Sequence, residues 1–385
     1  MSESLLETKV SNDRGFLPTQ DPLIELPRPF DAWEEVAHQL PKLLVSSQLH
    51  QTMKDLPPFP VDIIRDRREL ERAMVLLSYL GHAYVWGGSR PETFLPARLA
   101  VPWYDVAVKL GRPPVLSYSS YALHNYFRFD PKHEIECGNI GLIQNFLGGI
   151  DEEWFILIHV EIERKAASAM GLLHACLDAA DAGQAEALEV LLGQVEFSLR
   201  AVQATMLRMP EHCDPYIYYH RVRPYIHGWK NHPDLPDGLI YEGVAAYGRR
   251  PQQFRGETGA QSSIVPALDA MLGVAHEQDM LSLYLQEMRI YMPPAHRAFI
   301  ESLESRTSVR YFVERCGRSS LTSIYNECTE AVEKFRSLHL EYAAKYIFHQ
   351  AQTNSKNPHA VGTGGTPFMS YLKKHRDETR RSRLQ

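Results

Sequence analysis

The sequence predicts an all-α, mainly helical fold. Residues 320–350 place apolar side chains three and four positions apart, as one face of a helix requires, and residues 152–181 repeat the pattern. Stretches that alternate with the two-residue period of a β-strand are short and weak. A chain of 385 residues with 44% hydrophobic and 23% charged residues also has ample material for a core.

A break near Gly148 and Gly149 separates two predicted domains, because acidic residues suited to a helix start follow the glycines. We expect a small α-rich domain at 1–148, packed over a large helical domain at 149–385. The helices expected in the small domain are 31–44, 67–86, 95–111 and 113–126, the last opened by Pro113 and Pro114. Those expected in the large domain are 152–181, 184–209, 264–274, 277–291, 294–305, 308–316, 320–350 and 367–382.

Charge and cysteine content exclude several classes of protein. The net charge of −6 gives no electrostatic case for nucleic-acid binding, and the basic tail at 373–383 is interpreted as a solvated helix end. Five cysteines without close spacing argue against a zinc site or a disulfide framework. With no signal segment and no long apolar run, we expect a reduced, cytoplasmic protein without a membrane partner.

Two histidines interrupt apolar helix faces. His339 occupies a position where leucine is expected on the 320–350 helix, and His159 follows Phe155 by four residues on the 152–181 helix. A buried imidazole needs a partner, and a metal such as haem iron is one candidate. The alternative is two independent core histidines that bind carbonyl groups. If the two helices face each other, the histidines can lie on opposite faces of a planar cofactor.

Two further segments carry groups suited to an aromatic acid. Residues 216–225 combine tyrosines with Arg223, which offers ring stacking and a bidentate bond to a carboxylate, unless this is a surface helix. The Gly-rich segment 351–366 is either a lid loop or a plain linker. It lacks the Lys-Ser/Thr ending of a phosphate-binding loop.

Several short motifs, in the same order, resemble those of the indoleamine 2,3-dioxygenase family from about residue 20 to 375. They are LPARLAVPW at 95–103, Arg223 with GWK at 228–230, DGLIYEG at 237–243, GAQSS at 259–263, YMPPAHR at 291–297, RSLHL at 336–340 and GTGGT at 362–366. The resemblance implies a haem b enzyme, with the small domain covering the distal side of the pocket. It also implies insertion of both atoms of O2 across the indole C2–C3 bond of L-tryptophan, which gives N-formylkynurenine.

The resemblance also implies site residues. His339 matches the proximal haem ligand, Arg336 a residue near the haem propionates, and Asp269 its acidic partner. Thr258 and Gly259 are expected beside the cofactor. Arg223 would bind the substrate carboxylate, Thr258 would lie near the amino group, and Thr363 would belong to the loop that closes over the site. The full set of residues expected to bind substrate is Tyr118, Tyr121, Ala122, Phe155, Tyr218, Tyr219, Arg223, Thr258 and Thr363.

Three features depart from the family pattern. His159 stands where animal enzymes commonly have serine and resembles the distal histidine of tryptophan 2,3-dioxygenases. We therefore expect His159 to accept a hydrogen bond from the substrate N–H or to stabilise bound O2. Pro224 should bias Arg223 away from α geometry. Tyr218 and Tyr219 replace frequent phenylalanines and make the pocket more polar.

The sequence therefore predicts a monomeric haem dioxygenase whose partners are L-tryptophan or a related indole and O2. Two alternatives stay open: an oxygenase of the same fold that acts on a modified indole or another aromatic amino acid, and a non-catalytic O2-binding haem protein. Arg223 and Thr363 argue against the second, because an O2 carrier does not need them.

Overall fold

The computed structural model describes residues 10–353, Thr363 and residues 368–385. It confirms the mainly helical fold, because α-helices supply most of the described structure. The α-helices are α1 Asp31–His38, α2 Leu40–Val45, α3 Leu49–Lys54, α4 Arg67–Trp86, α5 Ala97–Leu110, α6 Ile150–Asp181, α7 Ala185–Leu207, α8 Pro215–Ile217, α9 Ile264–Leu272, α10 Met280–Arg289, α11 Pro294–Glu304, α12 Val309–Cys316, α13 Ser319–Ala343, α14 His349–Thr353 and α15 Phe368–Arg381.

Within the described residues, four short strands form two separate pairs. β1 (Phe94–Leu95) lies parallel to β4 (Ile240–Tyr241), and β2 (Tyr126–Arg128) lies antiparallel to β3 (Ile140–Leu142). The described helices include none that combines the length and the low polarity needed to cross a bilayer.

The expected helix at 113–126 is wrong. This segment contains only a π-helical turn, Ser119–Leu123, before β2 begins. The cause is a long-range one: the Asn125 side chain donates to the carbonyl of Gln144 and the hydroxyl of Tyr79, and accepts from the Gln144 N–H. These side-chain bonds compete with continued helical pairing and direct the chain into the strand pair.

A π-helical turn also divides the long C-terminal helical stretch. α13 passes through a π-helical turn, Ala344–Phe348, into α14. Of the expected lid at 351–366, residues 354–362 and 364–367 lie outside the described residues. Thr363 is described: its hydroxyl donates to the carbonyl of Glu257 at 2.5 Å.

In the part of the chain that the structure describes, buried apolar side chains form two clusters. One surrounds α4 and includes Leu77 and Trp103, and the other surrounds α6, α7, α9 and α13 and includes Leu173. Helix α6 contributes to both clusters. The first cluster also contains Trp229 and Tyr291, which follow the break in the sequence. A boundary at 148/149 therefore stays a prediction.

Helix α4 explains how the first cluster is packed. Asp66 caps its N-terminus by accepting from the Glu69 N–H at 2.9 Å, which satisfies one of the donors that a helix start leaves unpaired. Most of its residues are buried around its whole circumference. At Gly81 the Trp103 ring of α5 approaches so closely that an added Cβ would lie 2.3 Å from it. Only glycine permits that contact.

Candidate active site

A cavity of about 610 Å³ lies among α6, α9, α10, α13 and α15. Its volume falls in the range of about 300–1,000 Å³ that is typical of ligand sites. The expected site residues that line this cavity are Tyr118, His159, Thr258, Gly259, Asp269, Arg336, His339 and Thr363. The other expected residues, Tyr121, Ala122, Phe155, Tyr218, Tyr219 and Arg223, are not part of its lining.

His339 extends from α13 into the cavity and is half-buried. Within the described residues its ring makes no hydrogen bond, so the carbonyl partner of an ordinary core histidine is missing here. Burial, His159 and Arg336 lower the pKa of His339 to about 4. An added Cβ on Gly259 would lie 3.9 Å from His339 Cε1, so the glycine leaves room beside the ring. A neutral imidazole in this position is suited to bind a metal.

His159 extends from α6 into the same cavity. Its Nδ1 lies 2.7 Å from the carbonyl oxygen of Phe155. Because a carbonyl can only accept, Nδ1 carries the hydrogen and Nε2 is left as an acceptor. Burial lowers the pKa of His159, which keeps the ring neutral. The fold thus brings His159 and His339 to one cavity, and His159 can accept a hydrogen bond there.

A charged group forms one edge of the cavity. The guanidinium of Arg336 donates to Asp269 Oδ2 at 2.5 Å and also to the hydroxyl of Thr379. Although burial raises it, the pKa of Asp269 is lowered to about 2 by Arg336 and His276. Asp269 is therefore ionised and holds Arg336 in place. This edge is suited to receive the acidic end of a cofactor.

Aromatic rings continue from the cavity into the protein. The Phe155 ring centroid lies 4.7 Å from that of His159, 4.5 Å from that of Tyr218 and 6.3 Å from that of Tyr121. Phe155 therefore joins the cavity-lining His159 to the buried tyrosines. Tyr121 and Ala122 lie in the π-helical turn Ser119–Leu123, which packs against α6. Flat apolar faces of this kind are suited to an indole ring.

Glu163 is a site residue that the sequence did not indicate. It is buried and accepts from the hydroxyls of Tyr118 and Ser262, both at 2.9 Å. Burial raises its pKa to about 7. Glu163 follows His159 by four residues and therefore lies on the same face of the helix. This spacing was the signal by which the sequence could have identified it. Glu163 holds the hydroxyl of Tyr118 and so positions that part of the wall.

Arg223 is buried and has α-region dihedrals, φ −56° and ψ −37°. The expected bias from Pro224 is therefore wrong. Pro224 itself fits as the second residue of a 3-10 turn, Arg223–Ile226, where a backbone N–H is not needed for helical pairing. The α geometry of Arg223 comes from the turn before it. The preceding π-helical turn Tyr218–Val222 pairs the Arg223 N–H with the Tyr218 carbonyl. The guanidinium lies over the Tyr219 ring, 5.3 Å from its centroid.

The sequence matches a family model described as indoleamine 2,3-dioxygenase over residues 4–382. It is 35% identical to human indoleamine 2,3-dioxygenase 2, with 99% of this chain and 96% of the relative covered. It is 36% identical to mouse indoleamine 2,3-dioxygenase 1, with 97% and 94% covered. It is 32% identical to indoleamine 2,3-dioxygenase of Saccharomyces cerevisiae, with 96% and 91% covered.

Proposed function

Because the chain belongs to the indoleamine 2,3-dioxygenase family and is therefore a dioxygenase, we propose that its substrate is L-tryptophan and its product N-formylkynurenine. The observation that carries the proposal is the pairing of two neutral histidines on one cavity, of which His339 lacks a hydrogen-bond partner among the described residues. The proposal includes a monomeric protein that acts in the cytoplasm.

Haem b is the proposed cofactor, and the residues present fit it. His339 would hold the haem iron through a neutral ring nitrogen, and Gly259 would leave space beside that ring. Thr258 and Arg336 line the same cavity, and Arg336 offers positive charge for propionate groups. When bound, haem would supply the iron that activates O2.

The protein's own contribution is to orient the substrate and to exclude water. The indole N–H would donate to Nε2 of His159, and Phe155 would contact the ring. Arg223 would bind the carboxylate through its two-pronged guanidinium, with Tyr218 and Tyr219 around it. Arg223 lies outside the cavity lining, over the Tyr219 ring, so the amino-acid end would have to extend beyond the cavity to reach it. Thr363, which lines the cavity and donates to the Glu257 carbonyl, would help to close the site.

The function is tested with haem-loaded, reduced protein mixed with L-tryptophan in air and followed at the absorption band of N-formylkynurenine. We expect product to form in proportion to enzyme. Hydroxylated tryptophans and L-phenylalanine belong in the same panel, because His159 and the tyrosine hydroxyls also suit a modified indole. If the protein turned over one of those compounds but not L-tryptophan, that compound would be the substrate instead. Haem binding without any product would contradict the proposal.

The role of His159 is tested by replacing it with alanine. We expect His159→Ala to retain haem but to lose about fivefold in kcat/KM for tryptophan, because a hydrogen bond contributes about 1 kcal/mol. The loss should be absent for 1-methyltryptophan, whose ring nitrogen has no hydrogen to donate. His174→Ala, on the same helix but outside the cavity lining, is the matched control. An equal loss of kcat/KM for both substrates would show that the indole N–H does not donate to His159.

A further inference from the structure

Three potential metal ligands meet beside the Arg336 edge of the cavity. His276 lies between α9 and α10, whereas His375 and Glu378 lie on α15. One ligand atom from each falls within 4.8 Å of the others. The two imidazole rings are stacked, with centroids 4.7 Å apart and planes at 26°. His375 and Glu378 are three residues apart and therefore share one face of α15.

The contacts of His276 assign separate roles to its two nitrogens. Nε2 lies 3.0 Å from Asp269 Oδ2, and Nδ1 lies 2.6 Å from Glu378 Oε2. The Asp269 carboxylate accepts the Nε2 hydrogen and so fixes the orientation of the ring. A histidine that is oriented through one nitrogen by a carboxylate is the usual arrangement of a metal-binding histidine. A metal ion can then replace the proton between Nδ1 and Glu378.

His375 and Glu378 meet the other requirements of a site. The His375 ring lies on the wall of the cavity. That ring forms no hydrogen bond to any residue within the described ranges. Glu378 Oε1 accepts the Glu277 N–H at 3.2 Å and lies 3.7 Å from Lys374 Nζ. These contacts hold one carboxylate oxygen and leave Oε2 directed towards His276.

We propose that His276 Nδ1, His375 and Glu378 bind a divalent transition-metal ion of the zinc class, with Asp269 positioning His276. Two imidazoles and one carboxylate are an established donor set for Zn²⁺, with the fourth position open to water. Bonds of about 2.0 Å place tetrahedral ligand atoms about 3.3 Å apart. The contact between His276 and Glu378 therefore widens slightly, and His375 moves inward.

The position of the site suggests its effect on the fold. α15 carries Tyr371, Leu372 and His375 on the cavity wall, and His276 belongs to the linker after α9. A shared ion would fasten the C-terminal helix to that linker. Asp269 contacts both His276 and Arg336, so the ion would also hold the charged edge of the cavity. The proposed effect of the ion is on the fold, and the identity of the indole substrate does not change it.

The test is a titration of the full-length, haem-loaded, chelator-treated protein with Zn²⁺ against a chromophoric competitor at pH 7.5. We expect one ion per chain at submicromolar affinity, a higher melting temperature and release of protons. Co²⁺ should give visible bands of a four-coordinate site. His375→Gln and Glu378→Gln should each weaken binding by about 100-fold or more, since even loss of an outer partner of a metal site costs about 10–100-fold.

The matched control is His133→Gln, which removes an exposed histidine that also lies 2.9 Å from a carboxylate, Asp130, but lies outside the proposed metal cluster. It should bind Zn²⁺ like the unchanged protein. Circular dichroism checks that each variant is folded. If a ligand variant does not fold, His276→Gln is used in its place. Unchanged affinity in the ligand variants, or binding that occurs only without haem, would overturn the proposal. Because no turnover is measured, the result is independent of the proposed enzymatic function.

Discussion

Replacement of His339 by alanine is expected to abolish haem retention. The ring lines the cavity and has no hydrogen-bond partner among the described residues, so its loss removes a metal ligand and leaves no orphaned polar group. The helical content should therefore stay unchanged. Haem affinity should fall by more than about 100-fold, because loss of even an outer partner of a metal site costs about 10–100-fold. Haem titration followed at the Soret band measures the effect.

The control for this experiment is His349→Ala. His349 is exposed and begins α14, ten residues after His339, so its removal should leave the Soret band unchanged. Added imidazole should partly restore haem binding to His339→Ala by entering the vacated space. A His339→Ala protein with an unaltered Soret band would show that the axial ligand lies elsewhere.

Replacement of Arg223 by alanine is expected to raise KM for tryptophan by about 10–150-fold. A hydrogen bond to a charged group contributes about 1.5–3 kcal/mol, and each 1.4 kcal/mol is a factor of ten in affinity. The guanidinium is buried and stacked over Tyr219, so it is held in one orientation before substrate arrives. Steady-state kinetics with L-tryptophan measures the change.

Activity on tryptamine distinguishes the loss of carboxylate binding from a general disruption of the site. It lacks the carboxylate, so Arg223→Ala and the unchanged protein should handle it alike. Arg221→Ala is the matched control, because this arginine is exposed two residues earlier and should leave both substrates unaffected. If Arg223→Ala lowered activity on tryptamine as strongly as on tryptophan, the residue would have a structural role instead.

Regular helices could be predicted from the sequence, because their signal is local. The expected helix at 67–86 coincides with α4, and that at 152–181 differs from α6 by two residues at its start. The segment at 113–126 failed because Asn125 finds its partners in Gln144 and Tyr79, which no local pattern reveals. The dihedrals of Arg223 likewise depend on a π-helical turn that the three- and four-residue period does not describe.

The two cavity histidines were recognisable because each interrupts an otherwise apolar helix face. His276 and His375 were not, since one lies in a linker and the other on a short polar helix. Only tertiary packing brings their rings together. A functional residue can thus be predicted from the sequence when it is a polar residue on an otherwise apolar helix face. It cannot be predicted when its partners come from distant segments of the chain.

Helix α6 has a consequence for the evolution of substrate range. Phe155 and His159 are half-buried, whereas Ile156, Leu157 and Ile158 between them are buried in the two apolar clusters. A mutation at 159 can therefore change the group that faces the cavity while the intervening residues keep both cores packed, whereas Phe155 itself packs against both clusters. A single substitution at 159 can change the chemistry of the cavity wall without removing a side chain from either core.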